Sequence, residues 1–162
     1  MMMLNTTIIS LGALAILLII RFTPIWDSVL SSGTYKSVDF GKLKNPKTPN
    51  WVLVCPEGYC PEAKNHRTAP IFDRSATDLT KVLKEVILSE GNANVREDNG
   101  TRFDLVIRTP VLRWPDLITI EVIELPDNQS SIAIYSRSIY GRSDLGANGK
   151  RVKRWLDKLK SS

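Results

Sequence analysis

Histidine is nearly missing from this chain: His66 is the one imidazole in 162 residues. That scarcity works against the Ser/His and Cys/His pairs that activate a nucleophile near neutral pH. Cysteine is scarce as well, with Cys55 and Cys60 alone. Together with His66 they would give three zinc ligands, but their spacing is wider than the usual paired motif and a fourth ligand is missing, so no metal is expected. Aromatic residues make up 7% of the chain and are not interleaved with basic ones over a face, which argues against nucleic acid as a partner. The glycine-bounded loop Gly141 to Gly146 has Ala147 where a phosphate-binding P-loop needs lysine, so no cofactor is expected there. Internal repeats and low-complexity tracts are absent.

Long apolar runs are also lacking, with one exception. Met1 to Ile20 holds no charged side chain and ends at Arg21, close to the roughly 20 apolar residues that cross a bilayer as a helix. Residues 1–21 are therefore expected to be a membrane anchor. A cleaved signal peptide would need basic residues ahead of the apolar run and a small-x-small site, and neither is visible. Two signals disagree about orientation. Arg21 favours a cytoplasmic domain, whereas an even cysteine count in a small tethered domain favours a disulfide in an oxidising compartment. A lone arginine is the thinner signal, so the domain is expected on the oxidising side, with Cys55 bridged to Cys60 across Pro56 and Gly58.

Residues 22–49 read as a linker, broken by Ser31-Ser32-Gly33 and stiffened by Asn45-Pro46-Lys47-Thr48-Pro49. The folded unit then spans residues 50–162. Trp51 to Val54 is a short apolar strand. Leu79, Val82, Leu83, Val86 and Ile87 recur at helical spacing, with Ser75 and Asp78 as the start signal and Gly91 as the stop. The period then changes to two. Ala93 to Glu97 passes through Asn99-Gly100, a strong hairpin signal, into Thr101 to Thr109, and Leu117 to Leu125 turns at Pro126 to Gln129 into Ser130 to Ser138. A last helix, from Asp144 or Asn148 to Lys160, aligns Leu145, Val152, Trp155, Leu156 and Leu159. Short connections demand antiparallel neighbours. The expected fold is α+β: a twisted antiparallel sheet of four or more strands with two helices packed on one face.

Charge is unevenly placed. From Lys150 onward there are six basic residues and one acid, a net of +5 that equals the excess of the whole chain. Lys150, Arg151, Lys153, Arg154 and Lys158 form a candidate membrane-surface patch, since anionic lipid attracts each such residue by roughly 1 kcal/mol. If the helices cover Phe103, Ile107, Ile120 and Ile134, then Arg102, Asp104, Arg108, Thr119, Glu121, Tyr135 and Arg137 face away, with charges such as Arg108 and Glu121 pairing across strands. Beside them the connection 109–116 carries Val111, Leu112 and Trp114. Arg108, Trp114, Asp116, Tyr135 and Arg137 are the candidate residues for an amphipathic ligand.

Several pieces of this sequence resemble one family: Arg108-Thr109, Trp114-Pro115-Asp116, Ala133 to Ser138, Tyr140-Gly141, Ser143 to Gly146, Asn148, Arg151-Val152 and Trp155-Leu156, together with Thr68 to Asp73. They resemble the bacterial family called domain of unknown function 1499, over Asn50 to Leu159. The exit Arg21-Phe22-Thr23-Pro24 is similar to members with an N-terminal membrane segment ahead of a domain outside the inner membrane. The resemblance implies a single-pass inner-membrane protein with a periplasmic, envelope-facing domain, and it implies no chemistry. A non-enzymatic module binding an amphipathic ligand or envelope partner is the leading expectation. The alternative is a hydrolase acting on an envelope ester or glycan through Ser136, Ser138 or Ser143 with His66. Gly141 to Gly146 misses the nucleophile-elbow pattern by one residue. Ser136, Ser138, Asp144, Gly146 and Asn148 are instead expected to form a buried polar latch, with Asp144 or Asn148 capping the helix and Arg137 or Arg142 pairing with Asp144 or Asp116.

Overall fold

A computed structural model describes residues 10, 12, 13, 15, 16, 18–34 and 36–162 of the chain. Helix α1 (Pro24–Val29) is followed by a 3-10 turn (Phe40–Lys42) and strands β1 (Trp51–Cys55) and β2 (Arg67–Thr68). Helix α2 (Ala76–Leu88) leads into strands β3 (Ala93–Asp98), β4 (Arg102–Arg108), β5 (Pro115–Glu124) and β6 (Ser130–Ser138), and helix α3 (Ala147–Ser161) ends the fold. The strands form an open six-stranded sheet in the order β2-β1-β6-β5-β4-β3. All neighbours are antiparallel except β1 and β2. That pair is parallel because the Cys loop between them is long enough to return the chain in its starting direction. The expected membrane anchor lies for the most part outside the described residues. Among the described residues no helix is long and apolar enough to cross a membrane.

Local chemistry explains the element boundaries. Ser75 caps α2 by accepting from Asp78 N at 3.1 Å, and Gly91, at φ +66°, follows its end. In the β3-β4 turn, Asn99 Oδ1 accepts from Arg102 N at 3.0 Å and Gly100 takes φ +96°. Asp127 and Asn128 both take φ +57°, and Gln129 N donates to Pro126 O at 3.1 Å. Two consecutive left-handed residues give the twist of a type I′ turn, which suits the β5-β6 hairpin.

Both helices cover one face of the sheet. Leu79, Leu83, Val86 and Ile87 of α2, with Val152, Trp155 and Leu159 of α3, pack on Val52, Val54, Phe103, Leu105, Ile107, Ile118, Ile120, Val122, Ile132 and Ile134. Leu145 departs from the expected stripe: it is 88% exposed at φ +52°, because the helix begins two residues later.

The second face is neither bare nor merely solvated. Val38 and Phe40, from the segment expected to be a linker, lie with Leu53, Cys55, Cys60, Ala63, Ala133 and Tyr135 in a second buried cluster. Cys55 and Cys60 are bonded, with their Cα atoms 6.3 Å apart, so the Cys loop is stapled over this face. Beside it, Arg102 donates to Val38 O at 2.7 Å and lies 3.4 Å from both Asp104 and Glu121. Glu121 thus pairs with Arg102 rather than Arg108, since the register sets Arg102 opposite Glu121 and Arg108 opposite Pro115. The Tyr59 hydroxyl is pushed up to about 12 by burial and by the neighbouring Glu121 carboxylate. Phe40 is 3% exposed, so Phe40→Ala should cost about 3–5 kcal/mol by urea denaturation. A loss near zero would mean that residues 36–43 do not belong to the core.

Candidate binding site

The end of the sheet beneath α3 carries a polar cluster amid apolar packing. On β5 and β6 the residues that face the helices alternate, so Asp116, Ser136 and Ser138 continue the row that holds Ile118, Ile132 and Ile134. Asn148 and Arg151 lie among the buried residues of α3, one turn apart. They meet as one network. Arg151 donates to Asp116 Oδ2 at 2.7 Å, to Asn148 Oδ1 at 2.9 Å and to Ser136 Oγ at 3.3 Å. Ser138 donates to Asp116 Oδ1 at 2.5 Å, and Ser136 donates to Asn148 Oδ1. The Asn148 amide donates to Ser138 Oγ at 3.1 Å, Asp144 Oδ2 at 2.8 Å and Asn50 O at 3.4 Å. Asp116, Ser136 and Asn148 are at most 1% exposed; at such depth each polar atom needs a partner.

The entry to α3 is held by a carboxylate. Gly146 takes φ +77° as the N-cap and offers no side chain to the helix. Asp144 supplies what is missing, accepting from Asn148 N at 2.9 Å and Gly146 N at 3.0 Å. Burial alone would push its carboxyl up, but the hydrogen bonds from Asn148 and Gly146 outweigh burial and hold it below the usual carboxylate range.

Over this network opens a pocket of about 140 Å³, lined by Thr109, Trp114, Asp116, Ser138, Tyr140, Ser143, Asp144, Leu145 and Ala147. Trp114 is 38% exposed and Leu145 stands out at its rim. The wall is also tied to the N-terminal segment, because the Tyr140 hydroxyl donates to Ser31 O at 2.8 Å.

Nearly every residue of this pocket and network falls in the sequence pieces singled out above. The family described as protein of unknown function (DUF1499) matches residues 43–159. The chain belongs to this family. No curated protein matches the sequence significantly. Among solved structures, a conserved protein of unknown function from Enterococcus faecalis aligns at 10% identity over 58% of this chain and 67% of its own, with a TM-score of 0.39.

In this DUF1499 domain the expected latch residues Ser136, Ser138, Asp144, Gly146 and Asn148 all meet at the entry to α3. The expected ligand residues do not all meet. Trp114 and Asp116 line the pocket, whereas Arg108, Tyr135 and Arg137 are on the other side of the sheet. There Arg108 binds Leu30 O and Asp27. Tyr135 is 3% exposed, with Arg137 4.9 Å over its ring. Arg137 therefore cannot serve as the partner of Asp116, and Arg142 is exposed.

Arg151 takes the role expected of Arg137 or Arg142, and it must be removed from the membrane-surface patch: it is 6% exposed and ion-paired. Arg154 pairs with Glu90 at 2.8 Å and Lys153 with Asp157 at 2.6 Å. Lys158 donates to Ser89 Oγ at 2.9 Å, and Lys150 is exposed. His66 lies apart from the serines, with Nδ1 3.2 Å from Ala63 O, beside Trp51 and Arg67 in another depression. The disulfide also takes two of the three conceivable zinc ligands.

Two consequences can be measured. Arg151→Met strands the Asp116 charge and should cost about 3–5 kcal/mol in denaturant titrations, while adding Asp116→Leu should recover much of that loss; additive losses would deny the pair. The Asp144→Ala variant should lose about 1–2 kcal/mol at neutral pH. A carboxyl whose native pKa is lowered contributes stability that is full above its ordinary value and fades as pH falls through the native one. The gap in melting temperature between Asp144→Ala and the parent should therefore close in acid; a gap constant down to strong acid would reject the cap.

Proposed function

We propose that this domain is a non-enzymatic module, tethered at the oxidising face of a bacterial inner membrane, that takes the apolar end of an amphipathic ligand into the pocket beneath Trp114. The carrying observation is the contrast between that pocket's walls and its floor. Trp114, Tyr140 and Leu145 give it an apolar rim. The floor groups Asp116, Ser138 and Asp144 are engaged by Arg151, Asn148 and one another. Arg151 offsets the charge of the Asp116 carboxylate that accepts the Ser138 proton, which weakens that carboxylate as a base, so the arrangement favours binding over turnover. A volume near 140 Å³ is close to the roughly 150 Å³ in which a benzene-sized group fits.

The surroundings support a membrane setting. Arg21 donates to Val111 O at 2.7 Å and the Trp26 indole to Leu112 O at 2.9 Å, so the chain leaving the apolar N-terminal run is fastened to the loop that carries Trp114. Phe22, Ile25, Val29 and Val111 are each at least 65% exposed. Exposed apolar side chains on this segment and on the loop it touches suit a bilayer interface. The disulfide suits an oxidising compartment.

Full-length protein purified in mild detergent, then extracted and examined by mass spectrometry, should carry one enriched class of amphiphile. Trp114→Ala should retain at least about fivefold less of it, the scale of one lost aromatic contact, at an unchanged melting temperature. Parent protein without an enriched amphiphile, or equal retention by the variant, would refute this reading.

A further inference from the structure

A second depression, of about 480 Å³, lies on the opposite face of the sheet, where β3, β4 and the loop after β4 meet residues 27–32. Its charge is unbalanced. Arg96, Arg108 and Arg113 line it with one carboxylate, Asp27. Asp27 Oδ1 is shared, at 3.1 Å from Arg108 Nε and 3.4 Å from Arg113 Nη2. Arg96 donates to the Ser32 hydroxyl, and no carboxylate pairs with it among the described residues.

One shared carboxylate cannot neutralise three cations, so a net positive charge is left at this site. Arg108 donates to Leu30 O at 3.1 Å and to Arg113 O at 2.8 Å; carbonyl acceptors fix a guanidinium in space without removing its charge. Arg108 and Arg113 have side chains only 14% and 29% exposed, so water screens their mutual repulsion less than at an open surface. The Arg113 Nε is buried with no hydrogen-bond partner. Repulsion among fixed, part-buried guanidinium groups is relieved by an oxyanion, and their planar forks match phosphate oxygens two at a time.

We infer that Arg96, Arg108 and Arg113 form a receptor for a phosphate oxyanion. Polar walls suit a head group rather than a hydrocarbon tail, and the volume falls in the range of ligand clefts, roughly 300–1,000 Å³. Asp27 belongs to α1, the element whose Ile25 and Val29 stand exposed. A phosphate carried by an anionic lipid would therefore reach the site from the side where the apolar N-terminal run arrives. This receptor and the pocket beneath Trp114 have no lining residue in common.

The test uses the full-length chain in neutral detergent. Inorganic phosphate and, separately, micelles doped with phosphatidylglycerol are titrated against the parent protein and Arg96→Gln. Saturable binding of at least one probe, weakened about tenfold by the variant, is the expected result. Tighter binding of the lipid names a membrane head group as the source, tighter binding of inorganic phosphate names a soluble anion, and either sustains the receptor. A parent that binds neither probe overturns it, as does equal binding by a folded Arg96→Gln. The first of these is read on the parent alone, so a misfolded variant would not protect the inference.

Discussion

An aspartate and an arginine taken out of water at one end of the sheet constrain much of the rest of this molecule. Asp116 and Arg151 meet at 2.7 Å, and a desolvated pair of this kind repays its dehydration only when the remaining lone pairs and protons are also satisfied. Ser136, Ser138 and Asn148 do that. The requirement is geometric. Asn148 must reach both Ser138 and Asp144, which fixes where α3 begins and how it is rotated on the sheet. A helix held by Val152, Trp155 and Leu159 alone could slide along an apolar face with little penalty, whereas a shift of one residue would strand two charges. The pair is thus an orienting device more than a source of net stability, and the pocket beneath Trp114 inherits its rigid floor from it.

Both faces of the sheet carry apolar residues that must be covered. Helices α2 and α3 bury one face, and short segments close the apolar part of the other. A disulfide-stapled loop and the segment around Phe40 do the work. Closing a loop of six residues by the Cys55–Cys60 bond contributes about 2 kcal/mol in the chain-entropy view, and it keeps a short irregular segment in place where secondary structure does not. Where that cover thins, the residues of the face are polar, and Arg102, Asp104, Thr119 and Glu121 bind one another or the covering backbone.

Much of this was legible in the sequence, and the failures share a cause. The strands and α2 announce themselves through periodicity, because each has one apolar side and the pattern follows geometry. The assignment of Phe103, Ile107, Ile120 and Ile134 to the helix face, and of Arg102, Asp104 and Tyr135 to the other, rests on the period of two and agrees with the structure. The segment 36–43 has no period to read. Val38 and Phe40 flank a charged Asp39 within a short stretch, and only the apolar remainder of the second face explains their burial. Arg151 was obscured by counting charge along the chain. It stands next to Val152 and three residues after Asn148, inside the buried stripe, a position that demands a carboxylate partner; Asp116 was available, but its strand is remote in sequence.

The segment from Arg21 to Ser32 links the two candidate sites, and that placement has a mechanical consequence. On one side Ser31 O accepts from Tyr140, a wall of the pocket beneath Trp114. On the other, Leu30 O accepts from Arg108, and the Ser32 hydroxyl accepts from Arg96. Consecutive residues therefore bridge the apolar pocket and the arginine cluster around the edge of the sheet. Arg21 and Trp26 fasten the same segment to Val111 and Leu112. Moving the segment away from the domain would disturb Tyr140 and release Arg96 and Arg108 together, so the two sites share one structural element. A ligand that binds one of them favours the seated segment, and by linkage the seated segment favours a ligand at the other. A segment bonded along its length to both sites can couple them in this way.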